Sequence, residues 1–156
     1  MLRLTGLGVR NLRSLRDTGT IDLKPITILV GRNSAGKSTF ARVLPLLKQS
    51  AERRKQGPLL WFGRLVDFGS FQEALSSSAE SNTIDILFRY STPPATFVGR
   101  RAPRMDEPTN IKGSGLDARL TIGSDGEDGR TVFRELALNV FGVEVVLTSV
   151  SSREVQ

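Results

Sequence analysis

Gly31-Arg32-Asn33-Ser34-Ala35-Gly36-Lys37-Ser38 is an unbroken G-x-x-x-x-G-K-S string, and its residue types and spacing suit the wrapping of a polyphosphate. Backbone N–H groups from about Asn33 to Thr39, through Ser34, Ala35 and Gly36, are expected to converge on a β-phosphate. They form an anion nest backed by a helix N-terminus. Lys37 is expected to reach the β- and γ-phosphates as a compact charge, and the Ser38 hydroxyl to ligate a Mg2+ ion bridging the same oxygens. Thr39 offers a second hydroxyl near the α-phosphate. Gly36 reads as required because a Cβ there would crowd the phosphate. Ser38 and Thr39 would also serve as plain helix N-caps, and Lys37 beside them is what favours phosphate chemistry. The implied ligand is ATP with Mg2+.

Such a loop needs a strand to deliver it and a helix to receive it. The apolar run Ile26-Thr27-Ile28-Leu29-Val30 reads as a buried strand, set off by Pro25 from a short strand at Ile21-Asp22-Leu23. Ahead of these, Leu2 to Val9 alternates with a slip near Gly6, giving a half-buried strand with a bulge. Asp17-Thr18-Gly19 reads as a turn. After the loop, Phe40, Val43, Leu44 and Leu47 make one helical stripe. Pro45 lies inside that helix and predicts a kink near Ala41 to Leu44, with the helix resuming to about Arg54. Gly57-Pro58 ends it.

Trp61, Phe62, Phe68 and Phe71 gather in the next segment, which reads as a small core with a short helix at Phe71 to Ser76. Antiparallel β character follows: strands at Ile84 to Tyr90, Leu116 to Ile122, Thr131 to Leu138 and Val143 to Val150. Between the first two, residues 92–115 hold four prolines and read as a long mobile loop. A single partial unit over 1–156 is the expected organisation. Its parts are 1–56 (strands, phosphate loop, first helix), 57–82 (connection) and 83–156 (antiparallel portion).

The chain has 156 residues, 38% of them hydrophobic and 24% charged, which suits one ordinary globular domain. No apolar run approaches the ~20 residues of a membrane span, so no membrane role is expected and the cytoplasm is the default. Without cysteine or histidine, disulfides and thiolate sites are excluded and a zinc site is disfavoured. The net charge of +6 comes with arginines at 10, 13, 16, 53, 54, 100, 101 and 104. This would suit a nucleic-acid surface or a merely solvated basic face, and an aromatic content of 6% leaves little for bases to stack on.

Asn11-Leu12-Arg13-Ser14 ahead of Gly31 to Thr39 resembles the start of an ABC-type ATPase head of the RecF and SMC kind, with Leu12 where an aromatic is usual. Leu23 to Gly31, Leu46-Leu47-Lys48-Gln49-Ser50 and Val66-Asp67-Phe68-Gly69-Ser70-Phe71 further resemble bacterial "AAA family" ATPases common in phage-defence operons, over roughly residues 1 to 90. The resemblance implies an α/β P-loop NTPase fold, an N-terminal ABC-ATPase lobe with a mixed core sheet and an antiparallel β portion. It also implies Arg13 near the phosphates, although a surface arginine after a strand is an equal alternative. A glutamine sensing the γ-phosphate through Mg2+ is implied too, with Gln72 the candidate and Gln49 a weaker one. Assembly through paired heads, as a homodimer or larger, and a DNA or nuclease effector in DNA repair or antiviral defence also follow from the resemblance.

Parts of such a head are missing from the sequence. No four-apolar run ends in Asp-Glu, nothing resembles a Leu-Ser-Gly-Gly-Gln signature, and Asp67 has too short an apolar lead to be a Walker B aspartate. No catalytic residue is therefore expected in this chain, which should bind nucleotide and turn it over poorly. Three readings compete. One is the P-loop half of an ATPase head. Another is a non-catalytic module completed by a partner or by further sequence carrying the Walker B and signature motifs. The third is a small-molecule kinase, which two strands before the loop and an antiparallel tail disfavour.

Overall fold

The computed structural model describes residues 3–52, 57–91, 115–125, 130–140 and 142–149. Six strands form one sheet: β1 (Arg3–Leu12), β2 (Leu15–Asp22), β3 (Thr83–Ser91), β4 (Gly115–Asp125), β5 (Arg130–Val140) and β6 (Val143–Thr148), in the order β2-β1-β3-β4-β5-β6. Every ladder among the described residues is antiparallel. The sheet is therefore not the mixed one expected. The cause is local: Ile26–Val30 enters no ladder, and a parallel strand needs both a crossover and a neighbour.

Alternation sorts the strands into two faces. Leu7, Val9, Ile84, Ile86 and Ile122 point inward and are buried. Arg10, Arg89 and Arg119 point outward and pair with carboxylates: Arg10 with Asp17, Arg89 with Asp22 and Asp117, Arg119 with Glu135. The expected bulge near Gly6 is present, where the β1–β3 register slips between Leu4 and Gly6. The expected turn at Asp17–Gly19 is instead an irregularity inside β2, where the Thr18 hydroxyl accepts from the Val9 amide. The true turn lies at Arg13-Ser14, making β1 and β2 one hairpin.

Two helices and an irregular segment cover the inner face. α1 (Lys37–Ala41) and α2 (Val43–Ala51) are separated at Arg42, within the range where Pro45 was expected to kink the helix. Pro45 falls in the first turn of α2, where its missing N–H costs little. The break rotates the stripe, so Leu46 is buried beside Phe40 and Val43 while Leu44 is exposed. Among the described residues the helix ends at Ala51.

Segment 57–75 then packs Leu59, Trp61, Val66, Phe68 and Phe71 under the sheet. Trp61 meets Phe71 edge-on at 5.9 Å, and its indole N–H reaches the Thr131 hydroxyl of β5 at 2.9 Å. The segment ends in α3 (Phe71–Ala74), whose Ser70 and Glu73 make a reciprocal capping box. Arg100, Arg101, Arg104, the 53–55 basic cluster and loop 92–114 lie outside the described residues.

Candidate functional site

The hairpin tip between β1 and β2 and the Gly31–Thr39 loop face each other. Gly36 is buried, with φ near +87°, a backbone region that glycine enters freely. A Cβ built there would come within 2.3 Å of Leu15 Cδ2 and 3.1 Å of Ser14 Oγ. Glycine at this position is thus demanded by the hairpin tip and by φ.

Arg13, Ser14, Asn33, Ser34, Gly36, Lys37, Ser38 and Thr39 wall one open cleft of about 440 Å3. Two walls belong to different chain segments, and both carry unusual backbone. Ser34 has φ +64° and Arg13 φ +50°, conformations that cost energy for residues with a side chain. The Lys37 ammonium donates to the carbonyls of Gly31 (2.8 Å) and Arg32 (2.5 Å). The lysine is folded back on its own loop, held at the cleft wall by ligands an anion could displace. Ser38 puts a hard hydroxyl oxygen beside it, chemistry that fits Mg2+ as one ligand among water and phosphate oxygens. Among the described residues no group of three or more acidic side chains could hold a metal.

Of the residues expected from the sequence, Asn33, Ser34, Gly36, Lys37, Ser38, Thr39 and Arg13 meet in this cleft, while Gly31 supplies a carbonyl to Lys37. Ala35 is exposed on the loop, its N–H donated to the Arg32 carbonyl at 3.3 Å. Gln72 lies exposed on α3 and is not among the cleft-lining residues. Gln49 is spoken for elsewhere. It is buried, its amide donates to Leu60 and Val66 carbonyls, and its oxygen accepts from the amides of Leu65 and Val66. It pins the 60–66 loop and is not free to sense a phosphate. Asp67 accepts from the Gly69 amide within a local turn.

Two participants were missed from the sequence. Ser14 lines the cleft, and its position directly after Arg13 at a hairpin tip was the available signal. Phe68 sits beneath Arg13, with the guanidinium carbon 5.1 Å from the ring centroid, and no sequence spacing announces that pairing. Glu73 lies near the same arginine. Its carboxyl is held below the ordinary range, first by hydrogen bonds from Ser70 and lastly by the Arg13 charge.

A second, smaller cleft of about 240 Å3 lies over the outer sheet face between Arg10, Arg89 and Arg119. Those arginines are already committed to carboxylates, so it offers no comparable anion site. No helix among the described residues is long and apolar enough to cross a membrane. The family model for an AAA ATPase domain matches residues 3–128, and no curated protein matches the chain.

Proposed function

The chain belongs to the AAA ATPase domain family, which makes it a P-loop ATPase domain that binds nucleotide, and from that premise we propose the following role. It is the P-loop half of an ABC-type ATPase head that takes ATP with Mg2+, in the cytoplasm. The convergence of Lys37, Ser38, Thr39, Asn33, Ser34 and Arg13 on one cleft carries this reading. In it, Lys37 exchanges its two carbonyl partners for β- and γ-phosphate oxygens, and Ser38 supplies the protein's oxygen to Mg2+. Arg13 adds a second cation from the opposite wall. Gln72 serves as γ-phosphate sensor only if α3 moves toward the cleft. Nucleotide binding then drives pairing of heads, coupled to a DNA-directed or nuclease effector in DNA repair or phage defence.

Replacing Lys37 by Ala tests the core of this reading. Two charge-assisted phosphate contacts at roughly 1.5–3 kcal/mol each imply a loss of affinity on the order of 100-fold or more. The readout is titration of Mg-ATP into the full chain. Undiminished binding by Lys37→Ala would sink the assignment.

One observation favours a second reading, a binding module completed by other sequence. Ile26, Ile28 and Val30 are 82%, 77% and 85% exposed, directly before the phosphate loop. Such β-branched alternation suits a strand, and a strand from a partner or from elsewhere in a longer polypeptide would cover it. That added strand is where a Walker B pair would be supplied. Measurable ATP turnover by this chain alone would count against the second reading.

A further inference from the structure

We infer that Phe68 is a positioning residue for nucleotide binding: its buried ring holds the Arg13 guanidinium at the cleft, so affinity depends on a side chain outside the cleft. The inference rests on the nucleotide-binding reading above and deepens it.

Arginine is among the side chains with most rotamer freedom to lose, and a hairpin tip is a poor place to fix one. Here both backbone and side chain are held. The Arg13 amide donates to the Ala74 carbonyl at 2.7 Å, and the Ser76 amide donates to the Asn11 carbonyl at 2.9 Å. These bonds bind the tip to α3 and its exit, and they fix Arg13 at positive φ. The guanidinium then lies over the Phe68 ring, a cation–π contact.

The ring has nowhere to go. Phe68 is fully buried, its amide donates to the Trp61 carbonyl, and the adjoining Val66 is gripped by Gln49.

Two contrasts make this arrangement more than packing. Arg10, Arg16, Arg89 and Arg119 spend their donors on carboxylates. Among the described residues the Arg13 side chain makes no hydrogen bond or ion pair, and its partner is the Phe68 ring, not a carboxylate. Glu73 contributes charge from nearby without a bond to the guanidinium. A cation–π contact uses the charge of the guanidinium and leaves its N–H groups without a carboxylate partner, open to an anion in the cleft. Fixing it in advance spares the ordering cost when a phosphate arrives.

The test is a double-mutant cycle on the full chain: wild type, Arg13→Ala, Phe68→Leu and the double variant, titrated with a non-hydrolysable ATP analogue and Mg2+. The expected result is that Phe68→Leu weakens binding about 2- to 5-fold in the presence of Arg13, the range of a partly exposed cation–π contact. In the Arg13→Ala background the same change should have no further effect. Equal weakening in both backgrounds overturns the inference, because it would mean general loosening of the core. Unchanged affinity of Phe68→Leu overturns it as well.

A second measurement stands even if Phe68→Leu does not fold. Side-chain protons of Arg13 in the wild-type chain should show upfield ring-current shifts by NMR, and random-coil positions would overturn the inference. Failure of the wild-type chain to bind the analogue overturns the nucleotide reading and this inference together. Binding without the Phe68 effect overturns this inference alone.

Discussion

Ile84-Asp85-Ile86 and Ile26-Thr27-Ile28 are near copies in residue type, and they have opposite fates. Ile84 and Ile86 are 0% and 1% exposed, whereas Ile26 and Ile28 are 82% and 77% exposed. The first run lies in β3, with β1 on one side and β4 on the other: Ile86 stands opposite both Val9 and Leu120. The second run enters no ladder among the described residues, and its first residue, Ile26, lies in a bend. Strand propensity measures fit to a half-buried pleated surface, so it becomes structure only where neighbours supply that surface. The difference between the runs is one of neighbours, not of intrinsic preference.

Removing a side chain from the covered run is the most forceful way to sharpen the contrast. Ile86→Ala should cost about 2–5 kcal/mol, the transfer energy of the lost carbons plus a cavity between β1, β4 and the residues beneath. Denaturant unfolding at constant slope gives the value. A cost below about 1 kcal/mol would mean that the β3 site collapses freely, and that it is not the close-packed counterpart claimed here.

Segment 60–66 is an intermediate case. It also lacks a long ladder, yet its backbone is satisfied because Gln49 substitutes for a missing strand, bonding Leu60, Leu65 and Val66. Gln49→Leu conserves approximate volume and leaves buried peptide groups unpaired. It should cost about 1–3 kcal/mol, the penalty of an unsatisfied buried group. Were this variant as stable as wild type, backbone satisfaction could not be what separates segment 60–66 from Ile26–Val30.

The same contrast explains what the sequence could and could not reveal. Gly31 to Thr39 was legible because phosphate chemistry fixes residue types at fixed spacing, and seven of the expected residues do converge on one cleft. The strands of the antiparallel portion were legible because period-two alternation is local information. Ile26–Val30 misled because the pattern reports a preference and cannot report whether a neighbour is at hand. Gln49 misled differently: its partners lie 11 to 17 residues onward and are backbone groups, which leave no mark in side-chain identity. The capping box at Ser70 and Glu73 was readable as S-x-x-E, and it would have placed α3 more sharply. The positive φ of Arg13 and its seat on Phe68 arise from tertiary contact with α3, beyond any local pattern.

The smallest expected effect is the most discriminating. Ile28→Ala removes the same atoms as Ile86→Ala, from a side chain already mostly in water. Its cost to the isolated chain should stay within about 0.5 kcal/mol, as for substitutions at ordinary exposed positions. Amide exchange gives a parallel check: the Ile86 N–H should exchange only on global unfolding, and the Ile28 N–H near the rate of an unstructured peptide. If the free chain protects Ile28, or loses several kcal/mol on its truncation, the run is covered in solution and the comparison fails. If Ile28→Ala is silent in the isolated chain but weakens association with a candidate partner, the exposed run is a strand waiting for its neighbour. The phosphate loop that it delivers would then be held firmly only in the assembled state.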